Sequence, residues 1–166
     1  MRTLVVVRHA KSSWPDGVPD PERPLGSRGR RDAPVMGKRL GELVGPIDVA
    51  LISPAHRAQE TWALMRPHLV VGEWRTEARV YRDWGRDVID AIRELPDSAG
   101  SALVLGHEPG VSELVLMLSD PANPGLLSRV ANKFPTCAFA VLTADQVWSG
   151  LEPSCAQLDA FSTPKD

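Results

Sequence analysis

The chain has 166 residues, 43% of them apolar and 24% charged, and its 19 Lys and Arg stand against 21 Asp and Glu for a net charge of −2 at pH 7. That is enough chain for one domain with its own core, and the composition excludes wholesale disorder. So even a charge balance gives no reason to expect bulk binding of nucleic acid or of an anionic membrane. The longest apolar stretch, Leu4 to Val7, is far too short to span a bilayer. It also forms no signal-peptide h-region, because Arg8 and His9 follow at once. With only Cys137 and Cys155, a disulfide framework or a four-ligand zinc site is not expected, and the reading is a cytoplasmic protein with buried, free thiols. Five of the nine aromatic residues are Trp, which are expected in core seams or pocket walls.

In chain order, Leu4 to Val7 is a β-branched run suited to the middle of a parallel sheet. Residues 12 to 27 carry four Pro among turn formers and charges, and a loop of that length is expected to be functional. Between Ser27 and Val44 the spacing of Val35, Leu40 and Leu43 predicts a helix that starts near Asp32 or kinks at Pro34. Val49 to Ile52 repeats the strand pattern. Ser53 is then expected to cap a helix whose first residue is Pro54, whose apolar face is Ala58, Trp62 and Met65, and which stops at Pro67. Arg86 to Leu95 reads as a further helix, Ala102 to Leu105 as a third strand, and Val111 to Leu118 as a helix opened by Pro109-Gly110. A short helix over Leu126 to Lys133 and strands in Cys137 to Leu142 and between Val147 and Phe161 complete the chain. The alternation implies one α/β domain with a largely parallel sheet.

All three apolar strands deliver polar residues at their carboxyl ends, where ligands bind in open α/β sheets. These are Arg8-His9, then Ser53-Pro54 with Arg57 one turn on, then Gly106-His107-Glu108-Pro109-Gly110. Taken singly, they are an ordinary strand end, a helix cap with a surface Arg, and a turn with a hydrogen-bonded His. Their recurrence at three strand ends favours one shared pocket with two Arg and two His. Such a pocket suits a phosphoryl group, since Arg forks onto phosphate oxygens and an imidazole can form a covalent phospho-enzyme. A P-loop, a Gly-x-Ser-x-Gly elbow, a cysteine-phosphatase loop, a Gly-x-Gly-x-x-Gly and metal-ligand His spacing are all missing from the sequence.

The segments Val7-Arg8-His9-Ala10-Lys11-Ser12, Arg23-Pro24-Leu25, Gly29 to Ala33, Ser53 to Thr61, Leu105 to Gly110 and Phe134-Pro135-Thr136 resemble, in order, those of the histidine phosphatase (phosphoglycerate mutase-like) superfamily. The short length and the Arg-His-Ala-Lys-Ser form look most like its SixA-type phosphohistidine phosphatases. The resemblance implies a single domain over residues 1 to 166. Its fold would be three-layered, a mostly parallel sheet with one antiparallel strand and helices on both faces. It makes His9 the nucleophile, Arg8 and Arg57 the phosphate clamp, His107 the second pocket histidine, taken as protonated in the expected mechanism, and Ser12 a further phosphate contact. It implies no metal and no organic cofactor. Ala10 stands where relatives have Gly, and Pro15 where many have Asn.

Glu73, Glu77, Asp83 and Asp87 lie where broad-acting relatives carry a proton-donating carboxylic acid, but in no matching motif. An alkoxide leaving group needs that proton, with general-acid help typically worth ~10²–10⁴-fold. An imidazole, with a pKa of about 6.5, needs it far less. The expected substrate is therefore phosphohistidine on a partner protein. The alternatives are a small-molecule phosphomonoester phosphatase and a non-catalytic phosphate-binding module. The basic residues Arg23, Arg28, Arg30, Arg31, Lys38 and Arg39 form either a solvated helix face or a docking patch for an acidic partner.

Overall fold

The three apolar runs become neighbouring parallel strands. In the computed structural model, which describes residues 1–81 and 85–166, they lie in β1 (Arg2–Arg8), β2 (Ile47–Ile52) and β4 (Ser101–Gly106), with β3 (Val71–Thr76), β5 (Phe139–Ala144) and β6 (Ala156–Ser162) completing one sheet. The strand order is β3-β2-β4-β1-β5-β6, and among these strands β5 alone runs opposite to the other five. The helices are α1 (Ser27–Leu43), α2 (His56–Met65), α3 (Gly85–Arg93), α4 (Gly110–Leu118) and α5 (Pro124–Asn132).

Period-two side-chain alternation divides each central strand between two cores. Val5, Val7, Ala50, Ile52, Leu103 and Leu105 pack with Met36 and Leu40 of α1 and Trp62 and Met65 of α2. Leu4, Val6, Leu51 and Val104 pack on the other face with residues of α3, α4 and α5. Both faces are thus covered, and the strands read as unbroken apolar runs. β1 leads into α1 on one face, whereas its neighbour β4 leads into α4 on the other. Adjacent strands whose connections part in this way open a crevice at their carboxyl ends.

Several local expectations are corrected. α1 starts at Ser27, not Asp32, and runs on through Pro34. Proline removes one backbone hydrogen bond there, and the buried Ala33, Met36, Gly37 and Leu40 hold the helix regardless. α1 approaches α2 so closely that a Cβ on Gly37 would lie 2.8 Å from the Met65 Cα. Ser53 is not the cap of α2: Ala55 holds that position, and the Ser53 hydroxyl accepts instead from the Ala55 N–H at 3.2 Å. A short 3-10 turn over Arg66–His68 follows α2. The edge strand β3 was not expected, because five of its six residues are exposed and carry no apolar alternation. Its strand form comes from pairing with β2. α5 begins at Pro124, with Asn123 as its cap. Part of the late strand region is a 3-10 turn over Trp148–Gly150. Trp62 and Trp148 are core residues, whereas Trp14 and Trp74 are exposed.

Candidate active site

The three strand ends converge. Arg8 is the last residue of β1 with His9 next, His107 follows β4, and Arg57 lies in the first turn of α2 after β2. They line one cleft of about 760 Å³. The His9 and His107 rings are 4.9 Å apart between centroids. Ser12 lines the same cleft, so every residue expected at the phosphate site is brought together.

His9 is 6% exposed. Its Nδ1 lies 2.7 Å from the Ala10 carbonyl oxygen. A carbonyl only accepts, so Nδ1 carries the proton and Nε2 keeps its lone pair. Burial, with His107, Arg57 and Arg8 nearby, lowers the pKa of His9 to about 3. The ring is therefore neutral at pH 7, the state a nucleophile requires. Thr61 secures this turn from below: its buried hydroxyl accepts from the Ala10 N–H at 2.9 Å and donates to the Arg57 carbonyl at 2.7 Å.

His107 was expected to be protonated. Burial, followed by the charge of Arg57, lowers its pKa to about 4, so it too is neutral in the cleft at pH 7. Its Nε2 lies 2.7 Å from the Ser53 hydroxyl. Arg8 donates from Nη1 to the Phe134 carbonyl at 2.9 Å. Arg8 Nε, Arg57 Nε and His107 Nδ1 are buried with no partner among the described residues. Buried polar nitrogens are nearly always paired, so three unpaired around one cleft point to an acceptor beyond the described residues.

The long loop supplies residues that periodicity could not find. Within it, Asp20 opens a 3-10 turn over Asp20–Glu22 and receives hydrogen bonds from Arg57, Arg23 and Tyr81. These bonds, the one from Tyr81 first, hold its carboxyl at about 2. Arg23 is buried, bonds the Ser12 hydroxyl and the Ser13 carbonyl, and stacks under the exposed Trp14 with 3.1 Å from guanidinium carbon to ring centroid. Gly29, at the start of α1, passes the loop so closely that a Cβ would collide with the Lys11 carbonyl.

Residues 4–107 match the histidine phosphatase superfamily (branch 1). The chain belongs to that superfamily. An uncharacterized protein of Mycobacterium tuberculosis is 36% identical over 162 residues, 96% of this chain and 100% of that one. An uncharacterized protein of Mycobacterium leprae is 36% identical over 164 residues, with the same shares. Among solved structures, a SixA candidate phosphohistidine phosphatase from Nakamurella multipartitia has a TM-score of 0.86 at 26% identity, covering 98% of this chain and 96% of that one. A mycobacterial glucosyl-3-phosphoglycerate phosphatase shares the fold, with a TM-score of 0.61 at 16% identity over 96% of this chain and 97% of that one.

Within this histidine phosphatase fold, the described mid-chain carboxylates, Glu73, Glu77 and Asp87, do not line the cleft. Glu73 is exposed on β3 beside Arg75. Glu77 bonds Arg79, which holds its carboxyl below the ordinary range, and Asp87 lies on α3. Asp83 lies outside the described residues. Among the described residues, the carboxylates that do line the cleft are Asp20 and Glu108. Glu108 accepts from the Ser112 N–H at 2.8 Å and from the Ser112 hydroxyl at 2.9 Å. Among the described residues no group of three or more His, Cys, Asp or Glu is placed to hold a metal ion. None of the described helices is long and apolar enough to cross a membrane. The basic cluster is not one patch: Arg23 turns into the cleft, Arg30 faces Glu60 at 3.8 Å, and Arg39 bonds Ser162 and Thr163.

The two ring environments have a direct spectroscopic consequence. At pH 5 the NMR signals of His9 and His107 are expected to be those of neutral imidazoles. A protonation midpoint near about 6.5, that of a solvated histidine, would contradict their burial.

Proposed function

We propose that the chain is a phosphohistidine phosphatase that removes phosphate from histidine on a partner protein through a covalent phospho-His9 intermediate. One observation carries the choice of substrate. Among the described residues, both carboxylates lining the cleft are occupied as hydrogen-bond acceptors, Asp20 by Arg57, Arg23 and Tyr81 and Glu108 by Ser112, and neither is held ready to protonate a leaving oxygen. A leaving imidazole, unlike an alkoxide, departs without a positioned acid. The SixA description of the Nakamurella multipartitia structure supports the same reading.

In the proposed reaction the Nε2 lone pair of His9 attacks phosphorus in line, and the bond from phosphorus to the substrate imidazole breaks. The substrate ring carries its proton on its other nitrogen and so leaves as neutral imidazole. Arg8 and Arg57 hold the equatorial oxygens, with Ser12 at the edge of the site and His107 donating one N–H. Water then attacks phosphorus, the bond to His9 breaks, and inorganic phosphate leaves. The whole chain, residues 1–166, serves as one catalytic domain, consistent with a single sheet built from its first strand to its last. The unpaired Cys137 and Cys155 are consistent with a cytoplasmic setting.

The test compares turnover of a phosphohistidine peptide, an aryl phosphate and a simple alkyl phosphate. The expected order is phosphohistidine first and the alkyl ester nearly inert. Comparable rates on the alkyl ester would reveal an acid at work and favour a metabolite phosphatase. Failure on all three would leave a phosphate-binding module.

A further inference from the structure

Asp20 is the residue on which the loop over the cleft is organised. Its Oδ2 accepts from Arg57 Nη2 at 3.1 Å and from the Tyr81 hydroxyl at 2.6 Å. Its Oδ1 accepts from Arg23 Nη1 at 3.0 Å, and its backbone oxygen accepts from Arg57 Nη1 at 2.8 Å. The three donors come from different parts of the chain: Arg57 from α2, Arg23 from the loop itself, and Tyr81 from just after the 3-10 turn Ala78–Val80. We propose that Asp20 is a positioning residue for the phosphate clamp, one that fixes the orientation of the Arg57 guanidinium. The proposal rests on the reading that Arg57 holds the transferring phosphoryl group.

The geometry of the guanidinium carries the argument. It is planar and offers five N–H donors in a rigid fork. One residue takes a hydrogen from each terminal nitrogen, through its carboxylate and its carbonyl, and two such points fix the plane of the group. Nε and the remaining hydrogens are left for another acceptor, and Nε has no partner among the described residues. The Asp20 side chain is 47% exposed, so its charge is held at the rim of the cleft without deep burial. The same carboxylate anchors Arg23 under Trp14, which ties the loop to the clamp it covers.

Removing the carboxylate leaves Arg57 its charge but not its alignment. A free guanidinium still attracts a phosphate dianion in the ground state, and it does so without a competing carboxylate. Alignment matters most where the phosphoryl group is in flight. In Asp20→Ala, kcat on a phosphohistidine peptide is therefore expected to fall by about 100-fold, the scale of a small misplacement at a reacting centre. The inhibition constant of inorganic phosphate is expected to stay the same or tighten. Asp20→Asn keeps an oxygen acceptor in place and is expected to restore part of the lost kcat.

Three results for Asp20→Ala would overturn the proposal while leaving the phosphatase reading intact. Wild-type kinetics would show that Arg57 needs no such anchor. Faster turnover would show that Asp20 only competes with phosphate. A parallel weakening of phosphate binding and kcat, with a lower melting temperature and no recovery in Asp20→Asn, would show a merely structural role. A wild-type protein that transfers no phosphate to His9 would overturn both the reading and the proposal.

Discussion

His9→Ala is expected to abolish turnover of a phosphohistidine substrate, with a loss of more than about 10³-fold, and to abolish covalent labelling at the same time. The two losses are coupled because the same Nε2 lone pair makes the intermediate and is regenerated from it. The fold should survive the substitution. Among the described residues the His9 side chain bonds the carbonyl of the adjacent Ala10, and the backbone around it is held from other directions. The Ala10 N–H is bonded by Thr61, and the His9 N–H donates to the Gly106 carbonyl at 3.0 Å. Circular dichroism and melting temperature should therefore match wild type. A variant that is folded and retains near-normal turnover would remove His9 from the reaction.

Arg57→Ala is the second large effect expected, a fall of about 10²–10³-fold in kcat/KM. Phosphoryl transfer is accelerated mainly by positioning and by stabilising charge on the equatorial oxygens, and Arg57 sits in the cleft with both His and Arg8. Its removal also frees Asp20, which at 47% exposure is readily hydrated, so the loss should be catalytic rather than structural. Arg57→Lys keeps the charge but not the planar fork and should recover only part of the rate. Full activity in Arg57→Ala would show that the clamp lies elsewhere.

The sheet and the phosphate pocket were legible in the sequence for one physical reason. β1, β2 and β4 are covered on both faces, so they appear as short apolar runs, and the polar residue after each run must stand at the open edge. Arg8, His9 and His107 follow directly from that rule, and Arg57 from the helix behind the second run. β3 was hidden because an edge strand needs only a partner for its backbone, and Val71–Thr76 carries the charged and exposed residues of a surface segment. Asp20, Tyr81 and Trp14 were hidden for a different reason. They meet only when the loop closes over the sheet edge, and neither spacing nor periodicity encodes that contact. The run of basic residues left two readings open because proximity in sequence does not fix proximity of charge. Successive residues of α1 point in different directions around the helix, and Arg23 precedes it altogether. The protonated state expected for His107 belonged to its expected role against the phosphoryl oxygens. In one buried cleft, burial and neighbouring guanidinium groups make each added charge costlier, and the imidazole is the group that gives up its proton.

The most direct test of a covalent histidine mechanism is to mix wild-type protein with a phosphohistidine peptide, quench within milliseconds under alkaline conditions, and map the phosphate by mass spectrometry. Phosphate on the peptide that carries His9, appearing before inorganic phosphate and disappearing as substrate is exhausted, is the predicted result. Phosphate on His107 instead, or steady turnover with no phosphorylated histidine at any time point, would contradict it.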